Sequence, residues 1–178
     1  MADLRQVRSA LLAASQLRDL RALLDGAFDG DFSDDDWAHA LGGTHIWIEG
    51  PDGIVSHGAL VERTLVCSGH VVVRVGYVEA IATAPTHRRR GHASDVLGHI
   101  NELIRERYVL GALSTGTPQF YEALGWERWR GPTFANGPHG LERTPDDDGG
   151  ILILRTPRSP GLDLDSDIVA DWRAGDVW

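Results

Sequence analysis

A run of β-branched residues from Val71 to Ala84 contains Val75-Gly76-Tyr77-Val78-Glu79-Ala80-Ile81-Ala82-Thr83 and stops at Pro85. A few residues later, Arg88-Arg89-Arg90-Gly91-His92-Ala93 opens a new pattern in which Ala93, Val96, Leu97, Ile100, Leu103 and Ile104 recur at helical spacing before Tyr108. A strand that feeds a glycine-containing loop at a helix N-terminus makes an anion site, because free backbone N–H groups and the positive dipole end converge there. Three successive arginines add mobile positive charge, and the implied ligand carries phosphate. An arbitrary arginine triplet is a solvated loop, so the reading depends on what surrounds the segment.

The surroundings alternate strands and helices in an α+β order. Leu4 to Arg8 reads as a short strand. Leu11, Leu12, Leu17, Leu20, Leu23, Leu24 and Ala27 predict an amphipathic helix over 9–27. Ser33-Asp34-Asp35-Asp36-Trp37 begins a second helix with Ser33 as N-cap and carboxylates in the first turn, and Gly42-Gly43 ends it. His45 to Glu49 and Ile54 to Glu62 form a hairpin across Pro51-Asp52-Gly53, and a second hairpin joins Arg63–Val66 to Val71–Ala84 with Cys67 at its tip. Leu110–Ser114 is a strand, Gln119–Leu124 a brief helix closed by Gly125, then comes Trp126–Arg130, and Ile151–Leu154 is one more strand. Pro157 to Trp178 lacks a regular pattern, yet Ile168, Val169, Trp172, Val177 and Trp178 are too apolar for a free tail and are expected to fold back. With 178 residues, no repeat and no linker, a single domain over 1–178 is expected.

Composition narrows the chemistry. Apolar residues are 42% and charged residues 24%, and no apolar run approaches the about 18 residues of a membrane span. Met1-Ala2-Asp3-Leu4-Arg5 lacks the basic start and apolar stretch of a signal peptide, and Cys67 is the only cysteine, so a cytoplasmic protein without membrane partner is expected. Seventeen basic against 26 acidic residues give a net charge of −9, which argues against nucleic acid and suits a cationic partner. All the basic residues are arginine, which excludes a Walker-type P-loop and any lysine Schiff base. His87, His92 and His99 recur near one helix without acidic or cysteine partners at ligand spacing, so no metal is expected.

Arg88-x-x-Gly91-x-Ala93, after a long strand and before an amphipathic helix, with a short strand and Phe120-Tyr121-x-x-x-Gly125-Trp126 downstream, resembles the signature of the GCN5-related N-acetyltransferase (GNAT) superfamily. That resemblance covers about residues 44 to 130. Further segments are similar, in order and spacing, to one branch, the aminoglycoside 2′-N-acetyltransferases: Gly26-Ala27-Phe28-Asp29-Gly30-Asp31-Phe32, Asp36-Trp37, Leu41-Gly42-Gly43, Gly76-Tyr77-Val78-Glu79, Leu110-Gly111-Ala112-Leu113-Ser114, Arg143-Thr144-Pro145-Asp146-Asp147-Asp148-Gly149, and Asp171-Trp172-Arg173-Ala174-Gly175-Asp176-Val177-Trp178. One departure is Ser114-Thr115-Gly116-Thr117-Pro118-Gln119, which is shorter and richer in Pro and Gly than the family pattern before Tyr121.

The resemblance implies a GNAT fold, a mixed and mostly antiparallel sheet flanked by helices. It also implies an acetyl-CoA-dependent N-acetyltransferase acting on an aminoglycoside, hence antibiotic resistance, and a homodimer. It places acetyl-CoA on Ile81, Ala82, Thr83, Arg88, Arg89, Arg90, Gly91, His92, Ala93 and Ser94, with loop amides on the pyrophosphate. Glu79 is then the base that takes the amine proton through water, and a carboxylate is otherwise unusual inside a strand. Tyr121 matches the residue proposed to donate to the departing thiolate, although an aromatic core residue is an equal reading of it. The oxyanion is expected on backbone N–H groups between Val78 and Ala82. A polycationic sugar needs fixed acids and flat walls. Asp31, Asp36, Trp37, Glu79, Ala80, Ser114, Asp147, Asp148, Asp176 and Trp178 are the expected substrate contacts, with Trp172 a further possible wall. Asp34 and Asp35 are assigned to helix capping.

Two alternatives stay open. A GNAT enzyme acting on kasugamycin, a polyamine or a protein N-terminus shares the cofactor signature. An acyl-CoA-binding module without turnover also shares it, though retention of both Glu79 and Tyr121 weighs against that reading.

Overall fold

A computed structural model describes residues 3–51 and 53–178. Met1 and Ala2 of the expected leaderless start, and Asp52 of the expected turn, lie outside the described residues. The chain divides into two compact units, one of residues 1–61 and 78–100 and the other of 62–77 and 101–178. None of the described helices is long and apolar enough to cross a membrane.

The first unit holds β1 (Asp3–Arg8), α1 (Ala14–Ala27), α2 (Asp34–Ala40), β2 (Thr44–Gly50), the first part of β3 (Gly53–Cys67), the end of β4 (Val71–Thr83) and the start of α3 (His92–Arg107). β1 pairs antiparallel with β2, and β2 antiparallel with β3. The helix expected over 9–27 starts later than its leucines suggest. Ser9–Leu11 is a 3₁₀ turn, Leu11 is 74% exposed, and α1 begins at Ala14, where the Ala13 N–H donates to Gln16 Oε1 at 2.9 Å. A polar cap, rather than apolar spacing, sets that boundary. Ser33 caps α2 as expected: its Oγ accepts the Asp36 N–H at 3.1 Å, while Asp36 Oδ2 accepts the Ser33 N–H at 2.9 Å. Gly58 in β3 carries no side chain for a packing reason, because a Cβ there would come within 2.4 Å of Ile81 Cδ1 and 2.9 Å of Ile100 Cδ1. Strand β4 and helix α3 both close onto that glycine.

The second unit holds the rest of β3, β4 and α3 with β5 (Leu110–Ser114), α4 (Pro118–Glu122), β6 (Glu127–Arg128), β7 (Thr133–Gly137), β8 (Gly140–Arg143), β9 (Ile151–Arg155) and β10 (Ile168–Asp171). Its strand order is β6-β9-β5-β4-β3-β10-β7-β8. Parallel pairing occurs at β4/β5 and β10/β7, while β10/β3, β5/β9, β6/β9 and β7/β8 pair antiparallel, which is the mixed, mostly antiparallel sheet expected. Ile54–Glu62 and Arg63–Val66 are one continuous strand of 15 residues, not two. Cys67, expected at a hairpin tip, is fully buried at the end of β3, and the turn proper runs through Ser68, with the His70 N–H donating to Cys67 O at 3.3 Å. The apolar residues near the C-terminus do fold back. Ile168–Asp171 forms β10 between β3 and β7, while Trp172 remains 48% exposed.

Candidate active site

In the first unit the loop after β4 has the features of an anion cradle. Arg89 and Gly91 take left-handed backbone conformations, φ 60° and 87°, and nothing lies within 4 Å of where a Gly91 Cβ would stand. A side chain there would be strained by conformation and would intrude on open space a ligand can use. The Asp95 N–H is bonded to Gly91 O at 3.0 Å, so by helix geometry the amides of His92, Ala93 and Ser94 precede the first intrahelical bond. Arg90, His87 and His92 line a cavity of about 420 Å³ beside Glu49, Gly50, Pro51 and Val55. The three arginines are not equivalent. Arg88 turns its guanidinium to backbone, donating from Nη2 to Ala27 O at 2.8 Å and from Nε to Thr83 O at 3.4 Å, which leaves Arg89 and Arg90 to the solvent side.

Upstream on β4, Glu79 and Ile81 are half-buried and flank Ala80, whose φ of 52° puts a left-handed kink inside the strand. Ala80 and Trp37 pack together on a small cluster of Leu24, Phe32 and Ala82. Thr83 Oγ1 lies 2.9 Å from Ser56 Oγ. Asp36 is engaged in capping, and Asp31 is exposed in the loop between α1 and α2. Asp34 pairs with Arg21 at 2.8 Å.

In the second unit Tyr121 is 8% exposed, edge-on to Trp126. Burial pushes its phenol up to about 12, opposed in part by a hydrogen bond with the Thr115 side chain, so it is a protonated donor across neutral pH. Ser114 is half-buried at the end of β5, where the next amide, Thr115 N–H, donates to Gly150 O at 2.9 Å. Gly150 N–H in turn donates to Asp147 O at 2.9 Å. This short relay ties the β5 end to the acidic turn.

Asp147, Asp176 and Trp178 converge there. The Asp147 carboxyl is raised above its ordinary value, chiefly by burial and then by the negative charge of Asp176, with a Thr144 hydrogen bond opposing. Trp178 is 3% exposed, its Nε1–H donates to Thr144 Oγ1 at 2.9 Å, and its backbone N–H donates to Asp176 Oδ1 at 3.2 Å. Arg173 holds the segment, donating to Asp176 O and Trp178 O at 2.9 Å, and its guanidinium sits 5.6 Å from the Tyr77 ring centre. Asp148 behaves differently from Asp147: its carboxylate is occupied by Arg143 and Thr133 and is depressed to about 2, chiefly by the Arg143 hydrogen bond. Thr144, Arg173 and Tyr77 lie in family-like segments, but the contacts Thr144–Trp178 and Arg173–Tyr77 join residues dozens of positions apart and carry no local signal. Among the described residues no group of three or more His, Cys, Asp or Glu is placed to hold a metal ion.

Comparison with known proteins gives a family match and a fold match. Residues 8–129 match the acetyltransferase (GNAT) domain family. The aminoglycoside 2′-N-acetyltransferase of Mycolicibacterium fortuitum is 41% identical over 162 residues, covering 89% of this chain and 83% of that protein. The crystal structure of the Escherichia coli GNAT N-acetyltransferase YhbS in complex with CoA superposes with a TM-score of 0.66 at 15% identity, covering 95% of this chain and 89% of that one. Escherichia coli ElaA gives 0.60 at 14% identity, covering 87% of this chain and 100% of that one. A GCN5-related N-acetyltransferase from Kribbella flavida gives 0.59 at 23% identity, covering 74% of this chain; the chain spans about a third of that protein's length. The chain belongs to the GNAT acetyltransferases, in the aminoglycoside 2′-N-acetyltransferase family, and is an acetyl-CoA-dependent N-acetyltransferase.

Proposed function

We propose that this enzyme transfers an acetyl group from acetyl-CoA to the 2′ amine of an aminoglycoside by direct attack in a ternary complex, and thereby confers resistance to the antibiotic. It works as a homodimer in the cytoplasm, each subunit one domain over 1–178, with neither nucleic acid nor membrane as partner. The observation that carries the substrate reading is the Asp147–Asp176 pair. Asp176 raises the Asp147 carboxyl, so a cation beside the two relieves them, and the buried Trp178, bonded to Thr144 and to Asp176, holds the segment that brings Asp176 there. Asp31, Asp36, Trp37, Ala80, Ser114 and Asp148 complete the proposed substrate contacts, with Asp148 acting through the turn it anchors.

The cofactor loop fits acetyl-CoA: an open left-handed Gly91, uncommitted helix amides and two outward arginines suit a pyrophosphate. Ile81, Ala82, Thr83 and Arg88 to Ser94 hold it. Acetyl-CoA supplies an activated acyl thioester. Glu79 takes the proton that the substrate ammonium must lose before its nitrogen can attack, through a water. Backbone N–H groups between Val78 and Ala82 meet the developing oxyanion. Tyr121 delivers its phenolic proton toward the departing sulfur, and the second proton, shed by the acylated nitrogen as it becomes an amide, passes through water to restore the phenol.

The test is thiol release from acetyl-CoA with kanamycin B and kanamycin A, which carry an amine and a hydroxyl respectively at the 2′ position. Turnover with kanamycin B alone is expected. Turnover with both places the acetylated amine elsewhere, and turnover with kasugamycin but neither kanamycin moves the substrate to that sugar.

A further inference from the structure

Two histidines lie fully buried in the first unit with no part in the chemistry described above. His45 on β2 and His57 on β3 are each 0% exposed, their ring centres 5.1 Å apart. They stand on neighbouring strands, His45 opposite Ala59 and His57 opposite Trp47, so they are diagonal partners on one face. Their nitrogens form a chain. His57 Nδ1 is 3.0 Å from Ala80 O, His57 Nε2 is 2.9 Å from His45 Nδ1, and His45 Nε2 is 2.9 Å from Ser9 Oγ. The Gly42 N–H donates to Ser9 Oγ at 3.0 Å.

The direction of the ring protons follows from the Ala80 end. A carbonyl only accepts, so His57 Nδ1 carries the hydrogen and its Nε2 accepts. His45 Nδ1 therefore donates to it, which leaves His45 Nε2 and Gly43 O, 2.9 and 3.1 Å from Ser9 Oγ, as competing acceptors for the one hydroxyl hydrogen. Burial holds both imidazoles neutral, His45 lowered to about 4 and His57 to about 3. The pair thus has one assigned tautomer arrangement, and it ends on one atom, the carbonyl of Ala80.

Ala80 is the residue in β4 at which the backbone is strained. A non-glycine residue at φ 52° inside a strand is strained and persists only where neighbours over-determine it. It separates Glu79 from Ile81, the proposed base from one of the strand amides offered to the oxyanion. Two carbonyls of this stretch accept from side chains of β3, Ala80 O from His57 and Ala82 O from Ser56 Oγ at 2.9 Å.

We propose that His57 is a positioning residue: its Nδ1–H bond to Ala80 O fixes the kink that sets Glu79 and the Ile81 amide, and the His45 Nδ1–H on its other nitrogen favours the tautomer that makes this bond available. The inference rests on the proposed roles of Glu79 and the strand amides.

Two substitutions separate the ends of His57. An asparagine amide nitrogen lies two bonds from Cβ, where Nδ1 stands, so His57→Asn keeps the donor to Ala80 and loses the link to His45. A glutamine amide lies three bonds away, where Nε2 stands, so His57→Gln keeps His45 and loses Ala80. With acetyl-CoA and kanamycin B, His57→Gln is expected to lower kcat by about tenfold or more at unchanged KM, and His57→Asn to stay within about threefold of the parent. A purely structural pair gives equal kcat in the two variants, or a loss confined to melting temperature, and either result overturns the proposal. Long-range ¹H–¹⁵N spectra of the intact protein should show both rings as Nδ1–H tautomers, and Nε2–H rings overturn it too. In the same spectra the Ile81 amide shift should move in His57→Gln and return in His57→Asn. Those readouts need no acceptor, so a failure to acetylate kanamycin B removes the substrate reading while the spectra still decide this one. Should the His57 variants not fold, the tautomer spectra of the parent protein, which need no substitution, still decide the proposal: Nδ1–H on both rings is expected, and Nε2–H on either overturns it.

Discussion

Arg143 and Asp148 form a two-pronged ion pair, Nη1 to Oδ1 at 2.9 Å and Nη2 to Oδ2 at 2.5 Å. Asp148 Oδ1 also accepts the backbone N–H and hydroxyl of Thr133, each at 3.0 Å, and Thr133 is fully buried. One carboxylate thus pins the start of β7 to the acidic turn that carries Asp147. Asp148→Asn leaves a buried N–H short of a strong acceptor, and both partners of the ion pair are about two-fifths exposed, so a loss of about 1–2 kcal/mol in urea unfolding is expected. Asp147→Asn should do the reverse: stability is kept or gained, because a raised carboxyl is relieved, and the aminoglycoside KM rises by about tenfold. A larger KM effect from Asp148 than from Asp147 would exchange their roles.

Different arginines of one loop should matter differently for acetyl-CoA. Arg88 spends its hydrogen bonds on Ala27 O and Thr83 O, whereas Arg90 lines the cavity beside His87 and His92. Arg90→Ala is expected to weaken CoA by about fivefold to tenfold in calorimetry, an effect that fades as salt rises. Arg88→Ala should lower the melting temperature and affect CoA less. Gly91→Val combines a strained φ with a side chain in the open cradle, and its CoA affinity should fall the most of the three.

Stability should fall on the acidic side of neutrality because of His45 and His57. Their folded values, about 4 and about 3, lie below the ordinary 6.5, so between about pH 6.5 and 4 the unfolded chain binds protons that the folded chain refuses. Unfolding is therefore favoured progressively as pH falls through that window, with a slope approaching two protons, about 3 kcal/mol per pH unit. Above about pH 7.5 these groups contribute no slope. Asp147, held above its ordinary carboxyl value, acts in the opposite direction near the lower end of the window. Urea midpoints at pH 7.5, 6 and 5 check this, and a level profile from 7 to 5 would show the rings to be exposed or already charged.

What was legible in the sequence was local. The anion loop was readable because strand, glycine and helix lie within twenty residues, and α2 because Ser33 and three aspartates mark its start. Strands β7 and β8 were missed. TFANG and GLER have weak alternation, and they are held by β10 from some thirty residues downstream and by the non-local Asp148 contact. The histidine pair had a visible signal, two polar residues inside apolar β stretches, but its meaning needed the register that sets His57 opposite Trp47. Asp147 and Asp148, adjacent in sequence and alike in residue type, could not be told apart without knowing which of them Arg143 takes.

Glu79 and Tyr121 divide the proton traffic, and single substitutions should expose the division. Glu79→Gln is expected to lower kcat and to abolish the acidic limb of its pH profile, since no carboxylate remains to be protonated. An unchanged limb would remove Glu79 from the reaction. Tyr121→Phe deletes a donor that burial keeps protonated up to about 12, so no pH limb below that value depends on it. The expected signature is instead a lower kcat with acetyl-CoA and aminoglycoside KM unchanged, strongest for a thioester whose thiol is a poor leaving group. A Tyr121→Phe enzyme with full kcat and a lower melting temperature would make this side chain a core aromatic packed on Trp126, and leave protonation of the sulfur to water.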